Sequence, residues 1–132
     1  MNDIKSKHID LVQSIVTRMA QNSFFIKGWM ISIVVGLFIF LQENNLKNNY
    51  FIYLAPIIGL WLLDSYYLWQ ERLYRKLYSQ LICDLNESSD LKLSVEAFKE
   101  EIQYISALFS ITELLTYVPV ALCVHFILCS QN

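Results

Sequence analysis

Three long apolar stretches constrain the fold of this chain more than any other feature. They cover residues 24–41, 50–69 and 105–129, which are 18, 20 and 25 residues long. A helix needs about 20 residues to cross the hydrocarbon core of a bilayer, with a usual range of about 17–25. In lipid the backbone must satisfy its own hydrogen bonds, which favours helix even at the β-branched residues 33–35. The sequence therefore predicts an all-α transmembrane protein with three spans.

The composition agrees with a chain whose main partner is the lipid bilayer. Of the 132 residues, 55% are hydrophobic and 17% are charged, whereas soluble domains have about 25% charged residues. The net charge of −2 gives no reason to expect a nucleic acid as partner. The first apolar stretch begins only at Phe24, behind a polar segment and without a small-x-small cleavage site, so no signal peptide is expected.

The segments outside the spans are predicted to be helical as well. Residues 3–22 form an amphipathic helix whose apolar side chains recur at spacings of three and four; they are Ile4, His8, Leu11, Ile15 and Met19. The other face has mixed charge, which favours packing on protein over lying on lipid. Residues 70–104 are predicted as cytoplasmic helices around one loop. In this segment the second span continues to about residue 82, and a helix capped by Ser94 runs from residue 95 into the third span.

The distribution of lysine and arginine predicts the orientation. Four of these residues lie before or just inside the first span, one in the first loop, five between the second and third spans, and none after the third. Short cytoplasmic segments have an excess of such residues. The N-terminus and residues 70–104 are therefore predicted to be cytoplasmic, and the C-terminus to lie outside.

One charged residue of each span falls at nearly the same predicted depth. Lys27, Asp64 and Glu113 lie within about one helical turn of each other along the membrane normal. A lone charge in mid-membrane costs about 2.5–3.5 kcal/mol on insertion scales, and a cation beside two acids offsets part of that cost. We expect Asp64 to face Lys27, and Glu113 to join them or to be protonated. The cluster could fix helix register, line a polar path in an oligomer, or form a substrate or proton-coupling site.

Two further sets of residues are predicted to make contacts with other chains. Gly28, Ser32 and Gly36 form a ladder of small residues that permits close helix packing and self-association. The extension of the second span is predicted to contact a cytoplasmic protein partner through Glu71, Tyr74, Arg75 and Tyr78, and Glu71 and Arg75 are spaced for an i,i+4 pair.

Signatures of enzymes, cofactors and metals are not found in the sequence. The two histidines lie at opposite ends of the chain, and no glycine-rich phosphate loop exists. Cys83, Cys123 and Cys129 have neither C-x-x-C spacing nor a histidine at ligand spacing, so they are expected to be small buried apolar residues. We therefore expect no enzymatic activity, no cofactor and no metal. His125 is expected to make a hydrogen bond between helices.

Residues 17–37, "TRMAQNSFFIKGWMISIVVGL", and 62–78, "LLDSYYLWQERLYRKLY", resemble small bacterial multi-span inner-membrane proteins associated with anti-phage defence modules. The matching residues are Arg18, Asn22, Ser23, Phe24, Lys27, Gly28, Trp29, Asp64, Tyr66, Tyr67, Glu71, Arg72, Arg75 and Tyr78. The resemblance implies a bacterial inner-membrane protein that is homo-oligomeric and disrupts the membrane as an effector. Lys27, Asp64 and Glu113 would then line or gate the path.

Two other functions remain open at this stage. The chain could be a non-conducting membrane anchor or accessory subunit that recruits a cytoplasmic partner. It could also be an immunity-type protein that blocks a pore-forming toxin within the bilayer. Self-toxicity separates these alternatives from an effector, because only an effector is expected to harm its host when overproduced.

Overall fold

The computed structural model describes residues 2–43, 50–83, 99–100 and 102–130. These residues form four helices and no strand: α1 (Asn2–Glu43), α2 (Tyr50–Cys83), α3 (Tyr104–Leu108) and α4 (Ile111–Ser130). Three of the helices contain segments long and apolar enough to cross a membrane, namely Ser6–Leu41, Tyr50–Ile82 and Ile111–Ser130. The predicted all-α fold with three spans is confirmed.

Helix α1 joins the predicted amphipathic helix and the predicted first span into one rod of 42 residues. No glycine or proline lies before Gly28, so nothing in the local sequence breaks the helix between residues 22 and 24. The first span is therefore a continuation of the N-terminal helix.

The face that α1 buries matches the predicted one except at Leu11, since the other predicted residues with described side chains are half-buried. Leu11 is 48% exposed, whereas its neighbour Val12 is fully buried. The phase of the stripe is set farther along the rod by Met30 and Val34, which pack against α2. A straight helix presents one continuous stripe to its partner, so the stripe passes through Val12 and not through Leu11.

Helices α1 and α2 pack antiparallel over most of their length. At one end the rings of Phe38 and Tyr53 lie 4.7 Å apart, and at the other Val12 packs with Leu73 and Leu77. We call residues 2–22 of α1 and 70–83 of α2 the helix-pair extension. The predicted packing of the N-terminal helix on protein is present here, and its partner is α2 of the same chain.

Helix α4 returns along α2 and completes the bundle. The hydroxyl of Tyr50, at the start of α2, lies 3.5 Å from Sγ of Cys129, near the end of α4. Tyr117 and Val124 of α4 join the apolar core formed with α1 and α2. Because α4 ends level with the start of α2, the helix-pair extension projects beyond α4.

The third span begins later than predicted. Residues 99–100 form a turn, residues 102–103 are not helical, and α3 and α4 are separated at residues 109–110. The prediction of one helix that runs from residue 95 through a span over 105–129 is therefore wrong for the described residues; Ser94 and residues 95–98 lie outside them. The interruption coincides with hydrogen bonds from side chains of α2 to backbone carbonyls of this segment.

Much of the apolar surface of the bundle faces outward. In each of the three candidate spans only 22% of the apolar window is buried inside the structure. Large exposed side chains occur on every span and include Phe24, Phe51, Leu115 and Phe126. Such a surface is stable in lipid, whereas a soluble monomer rarely exposes apolar patches of this extent.

Candidate functional site

The ammonium group of Lys27 joins the three long helices. Its Nζ forms an ion pair with Oδ2 of Asp64 on α2 and another, at 3.0 Å, with Oε1 of Glu113 on α4. It also donates to the hydroxyl of Ser23, 3.0 Å away and one turn earlier on α1. A lysine ammonium has three N–H donors, and here each has an acceptor. We call Lys27, Asp64 and Glu113 the charge cluster.

Each member of the charge cluster is placed by the helix to which it belongs. Lys27 follows the buried residue Ile26 on the α2-facing side of α1, and Asp64 lies two turns beyond Ile57 on the buried stripe of α2. Glu113 lies in the first turn of α4, where the helix dipole favours a negative charge. This differs from the predicted position about two turns into the third span, because α4 begins at Ile111.

The two acids are entirely enclosed within one copy of the chain. Asp64 and Glu113 are both 0% exposed, and the Lys27 side chain is 21% exposed. The hydroxyl of Tyr117 donates to Oδ2 of Asp64 at 3.0 Å and lies 3.4 Å from the carbonyl of Leu60. This role of Tyr117 could not be predicted from the sequence, because a tyrosine in a span is usually a packing or interfacial residue.

The charge cluster has two acids and one base. Among the residues that the structure describes, no hydrogen-bond donor reaches Oδ1 of Asp64 or Oε2 of Glu113. A buried polar atom without a partner costs free energy in a low-dielectric interior. The arrangement of the three helices therefore depends strongly on the single cation, Lys27.

Arg72 binds the segment that links α3 to α4. Its Nη1 donates to the backbone carbonyl of Ser106 at 3.1 Å and to the Ser106 hydroxyl at 3.0 Å. Its Nη2 donates to the hydroxyl of Ser110 at 3.0 Å. We call residues 102–110 the elbow. No contact of Arg72 with this segment could be predicted, because nothing in the local sequence shows that α3 ends within the predicted span.

Aromatic side chains hold the elbow against α2 as well. The indole Nε1 of Trp61 donates to the carbonyl of Leu108 at 3.2 Å, and that of Trp69 donates to the carbonyl of Ile102 at 2.6 Å. In return the hydroxyl of Tyr104 donates to the carbonyl of Leu62 at 2.8 Å. The two indole bonds satisfy carbonyl groups that the interruption of the helix leaves free.

The four residues predicted to contact a partner protein are used partly within the chain. Glu71 and Arg75 form the expected pair at 2.7 Å. Tyr74 and Tyr78 are half-buried and pack against the core of the helix-pair extension. Only the side chain of Arg75 is largely exposed, at 62%, so a partner would meet a smaller surface than predicted.

The ladder of Gly28, Ser32 and Gly36 faces away from the bundle. A Cβ atom added at either glycine would meet nothing within 4 Å. The Ser32 hydroxyl bonds back to the carbonyl of Gly28 at 3.0 Å, which leaves the face smooth. A shallow groove of about 280 Å³ lies here between Phe24, Phe25 and Trp29. Among the described residues of one copy, neither glycine of the ladder has a packing partner, so the predicted packing role requires another helix.

The expected burial of the cysteines is wrong for Cys123 and Cys129, which are both exposed on the outer face of α4. The side chain of Cys83 lies outside the described residues.

Sγ of Cys129 is 3.8 Å from Nε2 of His125, one turn earlier on α4, so this histidine contacts its own helix and the ring of Tyr50. No group of three potential metal ligands occurs among the described residues.

Comparisons with protein-family models, curated proteins and solved structures find no match for this chain. The charge cluster, the elbow and the outward-facing apolar surface are the features of this chain that bear on its function.

Proposed function

We propose that this chain is a homo-oligomeric effector of bacterial anti-phage defence that perturbs the inner membrane, and that the structure represents its closed state. The closed state is defined by Lys27 bonded to both acids of the charge cluster. In this proposal the N-terminus and the helix-pair extension are cytoplasmic and the C-terminus lies outside.

The observation that supports this proposal most is the enclosure of the charge cluster within one copy. Asp64 and Glu113 are completely buried and both pair with Lys27. Charged residues inside a membrane are costly and mark functional sites by default. In this conformation the acids cannot line a path between copies, so we assign them the role of a gate that must open before a path forms.

Oligomerisation is part of the proposal because one copy encloses too little space. A water-filled path through a bilayer requires more pore-lining helices than the three helices of one copy, which are in contact with each other, can supply. The open ladder of Gly28, Ser32 and Gly36 offers each copy a smooth face for close approach of another helix.

A non-conducting anchor that recruits a cytoplasmic protein is the second candidate. The exposed guanidinium of Arg75 on the helix-pair extension supports it. The half-buried state of Tyr74 and Tyr78 weighs against it, since these were the aromatic residues expected to anchor the partner.

Membrane potential in bacterial cells that overproduce the chain alone tests the proposal. Lys27→Gln leaves two buried acids without a cation, so we expect it to depolarise the membrane and slow growth more than the unsubstituted chain. Arg75→Gln removes a cation of similar charge outside the cluster and is the matched control. Equal potentials in all three strains, at equal membrane levels of protein, would refute the effector function and favour the anchor. Deletion in the native bacterium, followed by phage plating, tests the role in defence.

A further inference from the structure

We infer that Arg72 is a positioning residue for the charge cluster: it holds the break between α3 and α4, and this break places Glu113 against Lys27. The inference rests on the proposed closed state. Without Arg72, we expect residues 109–110 to lose this break and α3 to wind towards α4.

The break leaves specific carbonyl groups without their helical partners. In a continuous α-helix the N–H of Ser110 would bond to the carbonyl of Ser106, four residues earlier. Here it bonds to the carbonyl of Ala107, at 3.1 Å. The freed carbonyl of Ser106 is the one that Arg72 binds.

The same exchange occurs two residues later. In a continuous helix the carbonyl of Leu108 would accept from the N–H of Thr112, but here it accepts from the indole of Trp61. Side chains of α2 thus occupy two acceptors that the continuous helix would need. Arg72 and Trp61 therefore satisfy carbonyls that the break leaves without a helical partner, and this stabilises the broken arrangement.

The state of the elbow determines where Glu113 points. The carbonyl of Ser110 accepts from the N–H of Leu114 at 2.9 Å, so Ser110 begins α4 and Glu113 follows in its first turn. Winding residues 109–110 into a continuous helix would change the rotation of α4 relative to α3, because each helical residue turns the chain by about 100°. Oε1 of Glu113 would then leave the position 3.0 Å from Lys27.

Arg72 is suited to this role by its chemistry and by its place in the fold. Its planar fork binds two serines and a carbonyl at once, which a lysine ammonium cannot reproduce. It lies on the helix-pair extension of α2, so a partner or second copy that shifts this extension would withdraw the guanidinium from the elbow. The shift would thereby release Glu113.

Carbodiimide labelling of Glu113 tests the inference in the purified full chain in detergent. A hydrophobic carbodiimide modifies a carboxyl group once it is released from its ion pair, and mass spectrometry locates the adduct. We expect Arg72→Gln to raise the labelling rate of Glu113 by a factor of about ten or more, because it removes three hydrogen bonds of a charged donor and the loss of one such bond already corresponds to about that factor. Arg75→Gln, one turn away on the same helix, is the matched control and should label like the unsubstituted chain.

Three further variants separate positioning from general loosening. Ser106→Ala combined with Ser110→Ala removes two acceptors of Arg72 and keeps the arginine, so it should raise labelling to a lesser extent. Arg72→Lys should fail to restore the slow rate. Lys27→Gln should label rapidly, and adding Arg72→Gln to it should cause no further increase, because both act on the same contact.

Unchanged labelling of Glu113 in both Arg72→Gln and the double serine variant would overturn the inference. Additive rates in the Lys27 and Arg72 double variant would also overturn it, since they would indicate independent loosening. Faster labelling without membrane depolarisation would leave the positioning role intact and refute the effector function alone.

Discussion

Nζ of Lys27 and Oε1 of Glu113 lie 3.0 Å apart although 86 positions separate them in the chain. This contact connects the middle of α1 to the first turn of α4. Asp64 of α2 pairs with the same ammonium group. One side chain therefore fixes the relative depth and rotation of three candidate spans.

Substitutions in the charge cluster should lower the free energy of unfolding by different amounts, depending on which buried charges remain unpaired. Lys27→Gln leaves two buried carboxylates without a cation and should lower the free energy of unfolding by about 3–5 kcal/mol. Asp64→Asn leaves Lys27 paired with Glu113 and should cost less. Denaturant unfolding of the protein in detergent measures both values. A larger loss for Asp64→Asn than for Lys27→Gln would contradict the view that Lys27 serves both acids.

Tyr117→Phe removes the hydroxyl that donates to Asp64. Among the described residues no other hydroxyl is bonded to this carboxylate. The bond is 3.0 Å long and buried, and a hydrogen bond to a charged group contributes about 1.5–3 kcal/mol. We expect a loss of stability in that range, measured by the same unfolding experiment. Tyr66→Phe is the control, because the Tyr66 hydroxyl accepts an exposed hydrogen bond from Gln70 and does not bond to Asp64. Equal effects of the two substitutions would show that Tyr117 does not stabilise Asp64.

The helix-pair extension has its own small core, which can be tested apart from the charge cluster. Leu73 is fully buried against Val12 and Leu77, so Leu73→Ala should cost about 2–5 kcal/mol through the cavity it creates. Leu11→Ala, at a half-exposed position of the same extension, should stay within about 0.5 kcal/mol of the unsubstituted protein. If instead the N-terminal helix lay on lipid along its predicted apolar face, Leu11→Ala would weaken membrane binding and Leu73→Ala would have little effect.

The ladder on α1 should affect self-association without affecting the fold of one copy. Gly28→Leu and Gly36→Leu add bulk where nothing lies within 4 Å, and leucine favours helix more than glycine does. We expect unchanged unfolding but weaker association, measured by fluorescence energy transfer between labelled copies in vesicles. Gly59→Leu on α2 is the matched control, since its surroundings are equally open. Equal energy transfer in all three variants would exclude the ladder as a contact between copies.

Much of this architecture could be predicted from the sequence because lipid imposes simple constraints. Apolar length predicts the three spans, and the depth of Lys27, Asp64 and Glu113 predicts that they come together, since a lone charge in lipid is too costly. The second helix was correctly expected to continue past Trp69 without a break.

What could not be predicted depends on contacts between distant segments. Leu11 and Val12 are both apolar, and only the packing of the whole of α1 on α2 decides which one is buried. The break at residues 109–110 has no proline or glycine to mark it. It is stabilised by side chains that are distant in the sequence: Arg72 lies 38 positions from Ser110, and Trp61 lies 47 positions from Leu108.

Ion leakage from vesicles that contain the purified chain tests the central claim most directly, namely that Lys27 holds the bundle closed. Vesicles with equal amounts of the unsubstituted protein, Lys27→Gln and Arg75→Gln would be loaded with a potassium gradient, and the loss of potassium followed over time. The account predicts fast leakage for Lys27→Gln and slow leakage for the other two. Slow leakage for Lys27→Gln, with its helices intact and its copies still associated, would contradict it and leave the charge cluster as a device that fixes helix register.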